Sequence, residues 1–112
     1  MREPLQKTFE MKHGVLVRHV VPRRGQPYFQ KCPLEAYLDV AYQIDEHGER
    51  GFVTQDLWEA LPETPRTQIS VALDFLKERG CVIVDGRRCY AASNVPFEDA
   101  NIEWYALEHA TP

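Results

Sequence analysis

The sequence predicts an α+β fold in one domain. Three helices and a β-hairpin form its centre, with an N-terminal hairpin before them and a further helix after them. Two observations carry this reading. Between Pro65 and Gly80 the apolar residues Ile69, Ala72, Leu73 and Leu76 recur at i, i+3, i+4 and i+7, which makes one buried stripe on a helix. Directly past Gly80 the period becomes two in CVIVD, a turn centres on Asp85-Gly86, and RRCYAA returns. A helix stopped by glycine therefore runs straight into a tight hairpin.

The chain has 112 residues, of which 44% are apolar and 27% charged. That length supports one core, burying roughly two-thirds of the unfolded surface. No apolar run approaches the ~20 residues of a membrane span, and MREPLQKTFEMK lacks the apolar stretch of a signal peptide. A cytoplasmic protein without membrane contact is expected. Cys32, Cys81 and Cys89 are odd in number and show no CxxC spacing, so neither a disulfide framework nor a zinc site is written here. All three are expected as reduced thiols, most of them buried, and no metal or cofactor is expected.

Net charge is −4, but the charges are segregated. Residues 12–31 carry Lys12, Arg18, Arg23, Arg24 and Lys31 with no acid, whereas 32–63 hold eight acids against Arg50. Segregation of this kind can place a basic face on an acidic protein.

In chain order, Met1 to Met11 shows no sustained period and reads as a loose arm. Gly14 to Val21, GVLVRHVV, is a Val-rich strand. PRRGQP, Pro22 to Pro27, is a turn or loop, and Tyr28 to Lys31 returns as a second strand. The expected divisions are thus an arm and hairpin over 1–31, a central unit over 32–93, and a C-terminal helix over 94–112. Pro33 opens a helix with Leu34, Leu38, Ala41 and Ile44 near one face and Tyr37 beside them, ended by Gly48. Gly51 to Val53 supplies a single bridge, and Thr54 caps a brief helix, TQDLWEAL. Thr64 as N-cap and Pro65 at the first helical position open the third helix, 65–79. The hairpin covers 81–92. From Pro96 onward Phe97, Ala100, Trp104 and Leu107 fall at helical spacing.

This order, with the pattern T-x-x-x-x-I-x-x-x-L-x-x-L-x-x-x-G-x-V over Thr64 to Val82, resembles the winged helix-turn-helix class. In outline it is similar to MarR, PadR and ArsR regulators. The resemblance covers about Pro33 to Ala92 and lies in topology and apolar pattern. It implies a transcriptional regulator on double-stranded DNA whose third helix enters the major groove and whose hairpin is the wing. By the same resemblance Arg66, Thr67, Gln68 and Ser70 sit at the reading end, and Arg87 and Arg88 at the wing tip.

Residue chemistry supports those positions independently, because Arg suits guanine, Gln suits adenine, and Ser or Thr suits either or phosphate. The plainer reading is a solvated face of an amphipathic helix. Asp74, Glu78, Glu59 and Glu63 count against a nearby phosphate backbone. Arg23 and Arg24 lie in VPRRGQPY, which loosely resembles an AT-hook core but has Gln26 in place of its second Arg, so an ordinary basic loop making phosphate contacts is the better expectation. Phe97, Trp104, Tyr105 and Leu107 are expected either to pair two subunits in a homodimer or to cover the chain's own core.

Catalysis finds no support. His13, His19, His47 and His109 are scattered, without HExxH, a Gly-rich phosphate loop or a nucleophile elbow. Cys81 and Cys89 read better as small buried residues than as a redox pair. The alternative to DNA binding is a winged-helix protein-interaction adaptor that binds no nucleic acid.

Overall fold

A computed structural model describes residues 6–110. The elements are β1 (Gln6–Lys12), β2 (Val15–Val21), β3 (Tyr28–Pro33), α1 (Leu34–His47), a 3-10 turn (Gly48–Arg50), α2 (Thr54–Ala60), α3 (Arg66–Glu78), β4 (Val82–Asp85), β5 (Arg88–Ala91) and α4 (Pro96–Ala110). Four α-helices and two antiparallel sheets make an α+β fold.

The loose arm expected over residues 1–11 is corrected where it can be seen. Gln6–Lys12 is a full strand, and the first five residues lie outside the described ones. The cause is the turn: His13 and Gly14 both have positive φ, 53° and 74°, as a two-residue type I′ hairpin requires. Lys12 therefore faces Val15, and β1 pairs along the whole of β2. Since β2 also pairs with β3, the expected N-terminal hairpin is part of a three-stranded sheet in the order β1-β2-β3. Cross-strand register puts Phe9, Leu16, Arg18, Val20 and Cys32 on the inner face. Glu10, Lys12, Val17, His19, Phe29 and Lys31 share the outer one.

The helices keep their expected order with shifted details. In α1 the buried residues are Ala36, Tyr37, Val40, Ala41 and Ile44, while Leu34 is exposed and Leu38 half-buried. The apolar stripe is rotated from the expected one because Tyr37, not Leu34, takes the centre of the core. α2 is capped one residue early: the Asp56 carboxylate accepts the Val53 N–H at 2.8 Å, and Thr54 is already helical. Likewise α3 begins at Arg66, with Pro65 as the capping residue and Thr64 outside.

Its C-terminus follows the expected stop in detail. Gly80 has φ 79°, its N–H donates to the Lys77 carbonyl at 3.1 Å, and the Cys81 N–H reaches back to Leu76 at 2.9 Å. This is the Schellman arrangement that glycine permits. β4 and β5 then pair with Asp85 opposite Arg88, so the turn residues are Gly86 and Arg87, one position later than expected. The expected bridge forms as well, with Phe52 and Cys89 exchanging backbone hydrogen bonds of 2.9 and 2.7 Å.

The core is one cluster threaded by aromatic contacts. Phe9 of β1 meets Phe75 of α3 edge-on at 5.4 Å, Phe75 lies 6.0 Å from Tyr37 of α1, and Tyr37 lies 4.8 Å from Trp104 of α4. The Tyr37 hydroxyl donates to the Ala100 carbonyl at 2.6 Å, which satisfies a polar group that burial would otherwise penalise. Ile69, Ala72, Leu73 and Leu76 of α3 are buried as expected, but so are Val71 and Phe75 on its other flank. That second buried flank exists because β3 and β2 pack along α3. None of the described helices is long and apolar enough to cross a membrane.

Candidate nucleic-acid interface

The polar arc of α3 is less open than its sequence implies. Arg66 and Thr67 are exposed in the first turn, whereas Gln68 and Ser70 are half-buried. The Arg66 guanidinium stands 4.1 Å over the Trp58 ring of α2, a cation–π contact. The next turns are occupied from the sheet. Arg18, only 7% exposed, extends from β2 and donates to the Ser70 hydroxyl at 3.0 Å and to Asp74 at 2.6 Å. Its other amino group bonds the Gln30 side chain, and Lys7 adds a 2.9 Å ion pair to Asp74. Ser70, expected as a base-reading residue, is thus a ligand of Arg18, and Arg18 is not a surface cation.

Surrounding charge disfavours an anion at the same end. A concavity of about 210 Å³ beside the α3 N-terminus is lined by Glu35, Asp39 and Glu63 together with Gln68. On the hairpin Arg87 and Arg88 are exposed, and Arg88 donates to the Arg50 carbonyl at 3.0 Å. The same hairpin exposes Ile83 and Val84, each about half.

Two further basic residues, Lys12 and Lys31, lie on the outer face of the N-terminal sheet. Here β2 presents Val15, Val17 and His19, flanked by Lys12 of β1 and by Phe29 and Lys31 of β3. These side chains and His13 enclose a cavity of about 180 Å³. Val17 forms part of its floor and is only 2% exposed although it faces away from the core, because its long neighbours fold over it. Phe29 stands 58% exposed, with its ring 6.2 Å from the His19 ring and the Lys31 ammonium 5.7 Å from its centroid. The one acid in these cross-strand rows, Glu10, is engaged by His19.

Family models, curated proteins and solved structures all give no match to this chain. Geometry and chemistry alone therefore bear on its role.

The other expected site residues divide clearly. Arg23 and Arg24 are exposed in the loop joining β2 to β3, at one end of the same sheet. Of the two roles expected for this helix, Trp104 and Leu107 take the covering of the chain's own core, and Phe97 packs against it. Tyr105 is exposed, stacked on His109 and one turn from exposed Ile102. The three thiols are free and buried. Burial, with Glu103 and Asp99 nearby, pushes the Cys81 thiol up to about 11, which makes it a poor nucleophile at neutral pH.

Lys12, His13, His19, Phe29 and Lys31 escaped the sequence reading as a site. Two signals point to them: the acid-free segment 12–31, and a strand with valines on both faces, where one solvated face normally leaves clean alternation.

Proposed function

We propose that the chain is a nucleic-acid-binding regulator built on a winged-helix scaffold, and that it meets its ligand with the outer face of the N-terminal sheet rather than with α3. The order α1, Phe52 bridge, α2, α3, β4, β5 supports the scaffold, since the bridge ties the hairpin to the helices as a wing. The observation that carries the functional reading is the sheet's outer face. It combines Lys12, Lys31, His13 and an exposed Phe29 over an apolar floor, on a chain that is acidic elsewhere. A basic patch with an aromatic platform suits phosphates and bases together, and an acidic remainder orients a polyanion toward that patch.

Groove reading by α3 fits poorly. The major groove is about 12 Å wide and about 8.5 Å deep, roughly the diameter of a helix with its side chains. With Val71 and Phe75 buried and Arg18 seated on Ser70 and Asp74, α3 presents to a groove little beyond Arg66 and Thr67 in its first turn.

The test is fluorescence anisotropy of labelled single- and double-stranded oligonucleotides across a salt series. Lys12→Ala/Lys31→Ala is expected to weaken binding and to lower the salt slope by about 1–2. Arg66→Ala and Arg87→Ala/Arg88→Ala are expected to leave it nearly unchanged. The reverse pattern would return the contact to α3 and the hairpin, and absence of binding at low salt would sink the proposal. The adaptor reading is favoured by one observation, the exposed Ile83 and Val84 on a hairpin that a DNA wing would keep polar. Absence of oligonucleotide binding would leave it as the better account.

A further inference from the structure

The cavity on the outer sheet face has a size that narrows what it can hold. Its volume, about 180 Å³, is well below the ~300–1,000 Å³ of sites that enclose drug-sized ligands, so it suits one flat ring system. The lining has three kinds of surface in fixed places. Val15 and Val17 give an apolar floor, and Phe29 gives a ring open to solvent. The ammonium groups come from the two outer strands: Lys31 shares a cross-strand row with Val17, and Lys12 shares the next with Val15. His13 and His19 add ring nitrogens on the rim.

From this arrangement we propose that the sheet seats one unpaired base of a single-stranded nucleic acid against Phe29, over Val15 and Val17, with Lys12 and Lys31 at the phosphates on either side. The proposal rests on the reading that this face binds nucleic acid, and adds a preference for single strands. In a duplex each base is stacked and paired, so its flat face is not available, whereas a single strand can turn a base outward onto an aromatic side chain. Lys12 and Lys31 stand on the strands either side of β2, and a base seated on Phe29 would turn the Lys31 ammonium, now over that ring, toward the adjacent phosphate. Glu10, already engaged by His19, is the only acid in those cross-strand rows to oppose it.

The experiment compares the full chain with Phe29→Ala against a short oligothymidylate, the same oligomer with an abasic centre, a hairpin duplex, AMP and polyglutamate. Phe29 lies on the solvent side of the sheet, and circular dichroism with a melting curve checks that the variant folds. Base stacking on an aromatic is worth ~1–3 kcal/mol, so Phe29→Ala is expected to weaken oligothymidylate binding by roughly tenfold. The abasic oligomer and the duplex are expected to bind wild type about as weakly, and AMP to compete only weakly. Equal binding of intact and abasic oligomers, with no effect of Phe29→Ala, overturns the base site while leaving a phosphate-binding sheet. AMP binding much tighter than the oligomer overturns the single-strand assignment in favour of a free nucleotide. Displacement by polyglutamate as effective as by oligothymidylate overturns it in favour of an acidic peptide. Failure of every oligomer to bind at low salt removes the underlying reading as well.

Discussion

Arg18 of β2 and Asp74 of α3 form a 2.6 Å ion pair 56 residues apart in sequence, and the pair decides what α3 presents to solvent. The guanidinium is almost wholly buried and also holds Ser70 and Gln30, while Asp74 keeps partial contact with water and a second partner in Lys7. Both amino groups of Arg18 are thereby satisfied at the junction of sheet and helix, while its buried Nε has no hydrogen-bond partner among the described residues. A buried charge of this kind is costly to leave alone, so the junction tolerates loss of one partner poorly.

Replacing Arg18 with Ala is expected to destabilise the fold by about 2–4 kcal/mol, the lower part of that range reflecting the exposure of Asp74. Urea denaturation measures it directly. A change below about 0.5 kcal/mol would mean that the pair is not formed in solution.

At Gly51 the backbone has φ 74°, and a Cβ there would stand 2.6 Å from the Tyr90 ring and 2.7 Å from the Cys89 carbonyl oxygen. Gly51→Ala therefore meets both a left-handed backbone and a fixed wall, and is expected to cost about 1–3 kcal/mol or more. Gly25, at φ 90° with open space around it, lacks the wall, so Gly25→Ala should lower the melting temperature less. Equal effects at the two positions would remove the steric part of the account.

Burial pushes the Cys32 thiol up to about 12 and the Cys81 thiol up to about 11, from ordinary values near 9.0. Between the unfolded and folded values the native state holds protons that the unfolded state releases. Stability from these groups is therefore complete below pH 9 and is lost as pH rises toward 11–12. Burial shifts Tyr37 the same way. The melting temperature should be level near neutrality and fall in the alkaline range, with a shallower fall in Cys81→Ala; a fall of equal steepness in that variant would exclude its thiol as a contributor.

Two neighbours on α4 should respond in opposite ways. Trp104 is in the core beside Tyr37, so Trp104→Ala is expected to cost about 3–5 kcal/mol. Tyr105 faces solvent, and Tyr105→Ala is expected to stay within about 0.5 kcal/mol in thermal or chemical denaturation. A concentration-dependent melting temperature that Tyr105→Ala abolishes would show instead that a partner covers it.

The sequence was most legible where one residue type has one physical use. The 3.6-residue stripe of α3, the glycine after it and the period change into β4 all appear where they were expected, as does the Phe52 bridge. Less was legible wherever the far side of an element depended on a distant partner. Val71 and Phe75 look like random apolar additions to a polar arc until the sheet covers them. β1 does alternate, but Lys7 occupies an inward position, and the alternation of Phe9 and Met11 was lost beside it. In the sequence Arg18 is only one cation of the acid-free segment 12–31; strand register alone shows that it points inward to Asp74. The outer-face site was present as charge segregation without geometry, since nothing local says that Lys12 and Lys31 flank the same valines.

The sheet that covers Val71 and Phe75 also fixes where this chain can be cut. A division after residue 31 would separate two units on paper, but a fragment starting at Cys32 would lose Phe9 and Leu16 from its packing and strip Asp74 of both its cations. Its α3 would then be greasy along two sides, and such a piece should be recovered as an aggregate rather than as a smaller folded protein. Anyone trimming the molecule for crystals or for NMR must keep the first three strands.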